Sequence, residues 1–234
     1  MGLKDLKNRL DFYLREKLRF SRPFPVGFSL PPNETGLHVE FRAFLTLFTL
    51  SKLLSRFSSQ QIEVADVGAR NFSWAPVIDE VLRSHGKLPT VHGIEVDAFR
   101  VLSGFHSRND FGRFYANSIP HGEFHAMDFL AWERPLDLIF LLNPFVTPTP
   151  LRNWGLPKTL LKPEELFQHA FTILKPNKGI LIVSAPSAEE LGICTTLAEK
   201  TGFERGQSVQ WTPPIGAIQE QERLGVLFAV PFEI

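Results

Sequence analysis

One cysteine, two tyrosines and no net charge are the scarcities of this 234-residue chain. Cys194 has no partner with which to form an internal disulfide, which suits a reducing compartment. It sits in an apolar helical pattern and reads as a packing residue, not a nucleophile. The 25 basic and 25 acidic residues cancel, so general electrostatic binding to nucleic acid is not expected. No stretch approaches the ~18 consecutive apolar residues that read as a membrane span. The N-terminus is charged and amphipathic, unlike a secretory signal, and Leu6 stands where a myristoylation motif has Ser or Thr. The expected location is therefore the cytoplasm. A Ser nucleophile elbow, a P-loop lysine motif and a Cys-x-x-Cys pair are all missing, so three large enzyme classes lack their signatures.

Two amphipathic segments come first. Leu6, Leu10, Tyr13, Leu14 and Leu18 fall at helical spacing among Lys and Arg residues, which predicts a helix over residues 4–20. Pro23, Pro25, Pro31 and Pro32 then make an extended connector, and a second helix is expected from Leu37 to Phe57. Residues 1–60 hold ten Lys/Arg against five Asp/Glu. Such a basic face suits a membrane surface or an acidic partner. The preferred reading is a solvated face on a helical extension or cap, residues 1–60, ahead of an α/β domain at 61–234.

From residue 61 strands and helices alternate. Strands are expected at Ile62–Val67, Thr90–Val96, Glu123–Ala126, Leu136–Leu142 and Ile180–Ser184. Helices are expected at Trp74–Ser84, Ala98–Phe105, Pro163–Ile173 and Ala188–Thr201, with the Pro-rich segment at 144–150 a loop that leads to the third of them. This order predicts a parallel sheet with right-handed crossovers. Ser208–Trp211 and Leu224–Val230 follow each other without an intervening helix, so that pair should be antiparallel.

The turn after the first strand draws attention. Asp66 ends the strand, Gly68 follows two places on, and a helix begins soon after. A glycine there lets a ligand approach bare backbone near a helix N-terminus, as in nucleotide-binding α/β sheets. Only one glycine is present where dinucleotide fingerprints carry three.

Several segments in this order resemble motifs of the class I S-adenosylmethionine-dependent methyltransferases. Val64-Ala-Asp-Val-Gly-Ala69 resembles the first motif, acidic-x-Gly-x-Gly-x-Gly, with Arg70 and Phe72 at the later glycine positions. Gly93-Ile-Glu-Val-Asp97 resembles the second-strand motif, and Met127-Asp-Phe129 the Gly-Asp-Phe type. Leu136-Asp-Leu-Ile-Phe-Leu-Leu-Asn143 resembles the fourth strand, Leu174-Lys-Pro-Asn-Lys-Gly179 the turn before the fifth, and Lys200-Thr-Gly-Phe203 the lead into the sixth. The resemblance implies a three-layer α/β/α Rossmann-like, mostly parallel seven-stranded sheet with an antiparallel C-terminal strand pair, plus N-terminal helices. It implies S-adenosyl-L-methionine as cofactor and methyl transfer to a small molecule, an amine or amide group, or a protein.

For the site, it implies that Asp66, Gly68, Arg70, Asn71, Glu95, Asp128 and Phe129 bind cofactor. Glu95 would take the ribose hydroxyls, and Asp128 the adenine amino group, beside Phe129. From the residues alone, Asp97 reads as a helix N-cap and Asp128 equally as a turn or cap aspartate. Arg70 either holds the cofactor carboxylate or alters the pocket. Asn143-Pro144-Phe145 partly matches the Asn-Pro-Pro-aromatic sequence of amino-group methyltransferases, making Asn143 the candidate catalytic residue. Arg152 and Trp154, with the N-terminal segment, would wall the acceptor pocket. His121 and His125 are four apart with Glu123 between them, but on a turn and strand that spacing holds the side chains far apart and no third ligand is evident; His38, His92, His106 and His169 form no constellation, so no metal is expected. Oligomeric state is not indicated. Two other readings stay open: a catalytically inactive binding or assembly protein of the same fold, favoured by the lost glycines, and a nicotinamide-dependent oxidoreductase.

Overall fold

The computed structural model describes residues 2–25, 33–176, 178–212 and 223–231. Seven strands form one sheet: β1 (Gln61–Val67), β2 (Leu88–Ile94), β3 (Gly122–His125), β4 (Leu138–Leu142), β5 (Ile180–Ala185), β6 (Glu204–Trp211) and β7 (Arg223–Ala229). Their order is β3-β2-β1-β4-β5-β7-β6. The first five run parallel, while β7 is antiparallel to both β5 and β6. The segment between the last two strands, residues 213–222 with Pro213, Pro214 and Gly216, lies outside the described residues.

The central strands are apolar because helices cover both faces; every residue of β5 is buried. One layer of core contains Phe41, Phe44, Ile78, Leu82 and Phe72, the other Ile139, Phe167, Cys194 and Phe228. Burial pushes the Cys194 thiol up to about 12, with Glu190 adding to the effect. The chain runs outward from β1 to β3, then returns to place β4 on the other side of β1. The C-terminal ends of β1 and β4 therefore splay into a crevice, the usual ligand position of open α/β sheets.

Three elements differ from expectation. The second N-terminal helix is two: α2 (Asn33–Thr46) and α3 (Leu50–Leu54). Gln207 of β6 holds the break, accepting from the Thr49 N–H at 2.8 Å and donating to the Leu47 carbonyl at 2.8 Å. No helix spans Ala98–Phe105; a single 3₁₀ turn sits at Ser103–Phe105, and the helix begins later, as α5 (Arg108–Ala116). Ser107 and Asp110 fix that start by a reciprocal capping box. The proline-rich run contains a short helix, α6 (Pro148–Asn153), since proline is tolerated in a first helical turn. The helices after β1, β4 and β5 are α4 (Ala75–Ser84), α7 (Pro163–Ile173) and α8 (Ala188–Thr201).

The first helix, α1 (Leu3–Leu18), meets the sheet domain with polar groups. Asn8 donates to the Leu156 carbonyl at 3.3 Å, Asp5 accepts from the Lys158 N–H at 3.1 Å, and Arg15 donates to Asp97 at 2.9 Å. Leu3, Leu6, Leu10, Tyr13, Leu14 and Leu18 remain exposed. The face expected to be solvated thus includes the groups that dock. Among the described residues no helix is long and apolar enough to cross a membrane.

The α2 helix is part of the main core, because Gly225 of β7 leaves room for the rings of Phe44 and Phe48; a Cβ at 225 would lie 2.8 Å and 2.9 Å from their tips. Phe44→Ala should cost about 3–5 kcal/mol in urea denaturation. A loss below about 1 kcal/mol would contradict this packing.

Candidate functional site

The crevice is a cavity of about 880 Å³ bordered by Asp66, Arg70, Glu95, Asp128, Asn143 and Trp154. Its floor is the turn after β1. Gly68, Arg70 and Phe72 have φ of +72°, +56° and +61°, so left-handed residues recur at every second position. The last two lack the freedom of glycine, and a left-handed residue with a Cβ costs roughly 1–2 kcal/mol. Backbone bonds hold the turn: the N–H groups of Gly68 and Ala69 both donate to the Ile94 carbonyl, at 2.9 and 3.1 Å.

The two unusual side chains diverge. Phe72 is fully buried and turns away from the cavity into the core. There it covers Gly93, where a Cβ would stand 2.6 Å from its ring. Arg70 borders the cavity, and its guanidinium lies 4.7 Å from the Trp154 ring centre. Asn71 and Phe129 also line the cavity, with Phe129 largely buried.

Glu95 sits just past β2 and is buried. One oxygen accepts from the Asp97 N–H at 2.8 Å and faces Arg108 at 3.3 Å; the other accepts from the Arg70 N–H at 2.8 Å. Burial raises its pKa, against the pull of Arg108 and the two backbone donors. The second oxygen, which accepts only the Arg70 N–H among the described residues, keeps a lone pair available to a ligand hydroxyl. Asp97 is not a helix cap. It is wholly buried and receives Arg15, Arg100 and Arg108, tying α1 and α5 to the end of β2.

Asp66 is buried beside Glu95, and its Oδ2 accepts no hydrogen bond from the described residues. Burial, reinforced by Glu95 and opposed by Arg70, raises its carboxyl to about 7. Asp128 is exposed and caps the turn at Phe129–Ala131, accepting from the Leu130 N–H at 3.0 Å. Asn143 ends β4 at φ +58° and accepts from the Ser184 hydroxyl at 3.4 Å. Trp154 roofs the cavity, as expected, but Arg152 does not line it and instead donates to Thr149 at 3.2 Å. Among the described residues of the first 60, Leu37 lines the cavity.

Arg108 and Arg223 were not anticipated in the wall. Arg108 lies 5.0 Å from the Trp154 ring centre. The Ser107-x-x-Asp110 pattern was the signal that would have placed Arg108 at a helix start. Arg223 comes from the start of β7, between β5 and β6, and nothing local marks it. Of the histidine group, Glu123 and His125 come together with His92 from the neighbouring strand, outside the cavity lining.

The fold is that of the class I S-adenosylmethionine-dependent methyltransferases. Magnesium protoporphyrin IX methyltransferase from Synechocystis PCC 6803, crystallised with bound SAM, is similar with a TM-score of 0.53 and 12% identity, covering 98% of this chain and 99% of that one. A provisionally assigned RNA methyltransferase from Pyrococcus horikoshii gives 0.53 and 13%, covering 99% and 98%. A SAM-dependent methyltransferase from Methanosarcina mazei gives 0.51 and 11%, covering 80% and 99%. No known protein-family model matches the sequence, and no curated protein does.

Asp66 links the site to stability. Its folded pKa lies above its unfolded value, so between those values the folded carboxyl keeps a proton that the unfolded chain releases. Stability is therefore lost as pH rises through this range. Asp66→Asn removes that loss. Relative to the parent, its stability in urea should gain roughly 2–3 kcal/mol between pH 5 and pH 8. Parallel pH profiles for the two proteins would contradict the protonated, buried carboxyl.

Proposed function

We propose that the protein is an S-adenosyl-L-methionine-dependent methyltransferase acting on a small molecule or an amine or amide group. The observation that carries this reading is the turn at 68–72. It keeps the left-handed alternation of a glycine loop although two glycines are gone, and it opens onto a cavity at the C-terminal ends of β1, β2 and β4.

The residues present fit the cofactor. The unpartnered Oδ2 of Asp66 offers an acceptor beside the turn. Glu95 suits the ribose hydroxyls, and Asp128 with Phe129 suits the adenine. Gly68, Arg70 and Asn71 border the place of the methionine portion, where the Arg70 guanidinium matches a carboxylate. When bound, the cofactor supplies an electrophilic methyl group. The protein's own contribution is alignment and exclusion of water, which need no catalytic dyad. Asn143 presents its side chain at the end of β4, held by Ser184, where it can accept a hydrogen bond from an amine acceptor. Pro144, Phe145 and Trp154 give that side of the cavity an apolar wall suited to a planar group. The reducing environment expected from Cys194 is consistent with a cytoplasmic enzyme.

One observation favours the inactive, ligand-binding alternative: Arg70 reaches under Trp154 and adds bulk where glycine would leave space. Calorimetry with S-adenosylmethionine separates the two readings. One-to-one binding is expected, with Glu95→Gln weakening it about 10–100-fold, as for loss of a charged hydrogen-bond acceptor. Arg70→Gly should keep the fold and weaken binding about tenfold. Tighter binding in Arg70→Gly would mark Arg70 as a block, and absence of heat at millimolar ligand would refute the cofactor assignment.

A further inference from the structure

We infer that His92, Glu123 and His125 form a binding site for one divalent transition-metal ion of the zinc class. The site lies on the sheet and apart from the cavity, whose lining includes none of the three. The strand register creates it. His92 of β2 is paired directly with Glu123 of β3, and His125 follows two residues on, so all three point to the same face.

The spacing of the donor atoms is specific. His92 Nδ1 and Glu123 Oε2 are 3.4 Å apart, Glu123 Oε2 and His125 Nε2 3.2 Å, and His125 Nε2 and His92 Nδ1 3.3 Å. A tetrahedral zinc ion with bonds of ~2.0–2.1 Å requires ligand atoms roughly 3.3–3.4 Å apart. The near-equilateral triangle therefore forms one face of such a tetrahedron without rearrangement. Two imidazoles and a carboxylate are the donor set of a zinc site that leaves a fourth position to solvent.

Two neighbours strengthen the assignment. His92 is almost wholly buried, and its Nε2 lies 2.7 Å from Glu63 Oε2 of β1. That carboxylate takes the Nε2–H, so the Nδ1 lone pair faces the cluster. This is the carboxylate–histidine arrangement that orients metal-bound imidazoles. Arg134 marks the fourth corner. Its Nη2 lies 3.1 Å from Glu123 Oε2, 3.4 Å from His125 Nε2 and 3.5 Å from His92 Nδ1. The guanidinium thus stands where a fourth ligand would, while stacked 4.3 Å from the Trp132 ring centre. Its side chain is 54% exposed and can swing into solvent, leaving that corner to water or to a single anionic donor. The guanidinium is the resident cation of the metal-free protein, and the metal ion replaces it. Once bound, the ion clips β2 to the edge strand β3.

The test uses the full chain, titrated with Zn²⁺ by calorimetry and with Co²⁺ by visible absorption. One ion per chain and the intense visible bands of four-coordinate cobalt are expected. Glu123→Gln and His125→Gln, both at partly exposed positions, should each weaken Zn²⁺ binding at least about tenfold with an unchanged circular dichroism spectrum. Glu63→Gln should weaken it about 10–100-fold through the orientation of His92. Arg134→Ala should tighten it, because the competing cation is removed. Absence of one-to-one binding, or equal affinity in parent, Glu123→Gln and His125→Gln, overturns the site. Weaker or unchanged binding in Arg134→Ala overturns the role given to the guanidinium.

Discussion

The buried carboxylates at the end of β2 hold this structure together around its crevice. Glu95 and Asp97 lie two residues apart, and neither tolerates burial as an anion without partners. The partners come from four segments around the end of β2. Arg15 reaches in from α1, Arg100 from the segment after β2, Arg108 from α5, and the Arg70 N–H from the turn after β1. Removing one partner would leave charge buried and unmatched, so these elements are coupled through it. The same cluster fixes Trp154, whose carbonyl accepts from Arg100 at 2.7 Å while Arg70 and Arg108 approach its ring. Floor, wall and roof of the cavity share a single charge network.

The turn after β1 shows how a loop shape survives a change of sequence. Glycine is favoured at positive φ because it lacks a Cβ, but packing can impose the same conformation on other residues. Phe72 gains the burial of an aromatic ring over Gly93, a transfer free energy of about 2–3 kcal/mol, against a left-handed cost of similar or smaller size. Arg70 has no such burial; its compensation is the Glu95 bond to its backbone and the contact with Trp154. Two substitutions that look alike in the sequence thus have opposite relations to the cavity.

Much of the fold was legible along the chain. The apolar runs of β1, β4 and β5 and the capped, glycine-ended pattern of α8 are local signals, and α7 and α8 fall where the periodicity puts them. The antiparallel final pair followed from the missing crossover helix. The errors have one local and one distant cause. Ala98–Phe105 has helical composition, but the Ser107–Asp110 capping box starts the helix later. The break between α2 and α3 comes from Gln207, about 160 residues away, which no local pattern reveals.

By itself the sequence determined the order of elements, the scarcity of thiols and charge imbalance, and the placement of Asp66, Gly68 and Glu95 at the ends of the first two strands. These follow from periodicity, turn chemistry and composition, which act over a few residues. Only the tertiary structure decided which way Phe72 and Arg70 point, that Asp97 is a hub and not a cap, and that α1 docks by its polar face. It alone brought His92 beside Glu123 and His125. Strand register and long-range ion pairs set those relations, and both depend on residues far apart in the chain meeting in space.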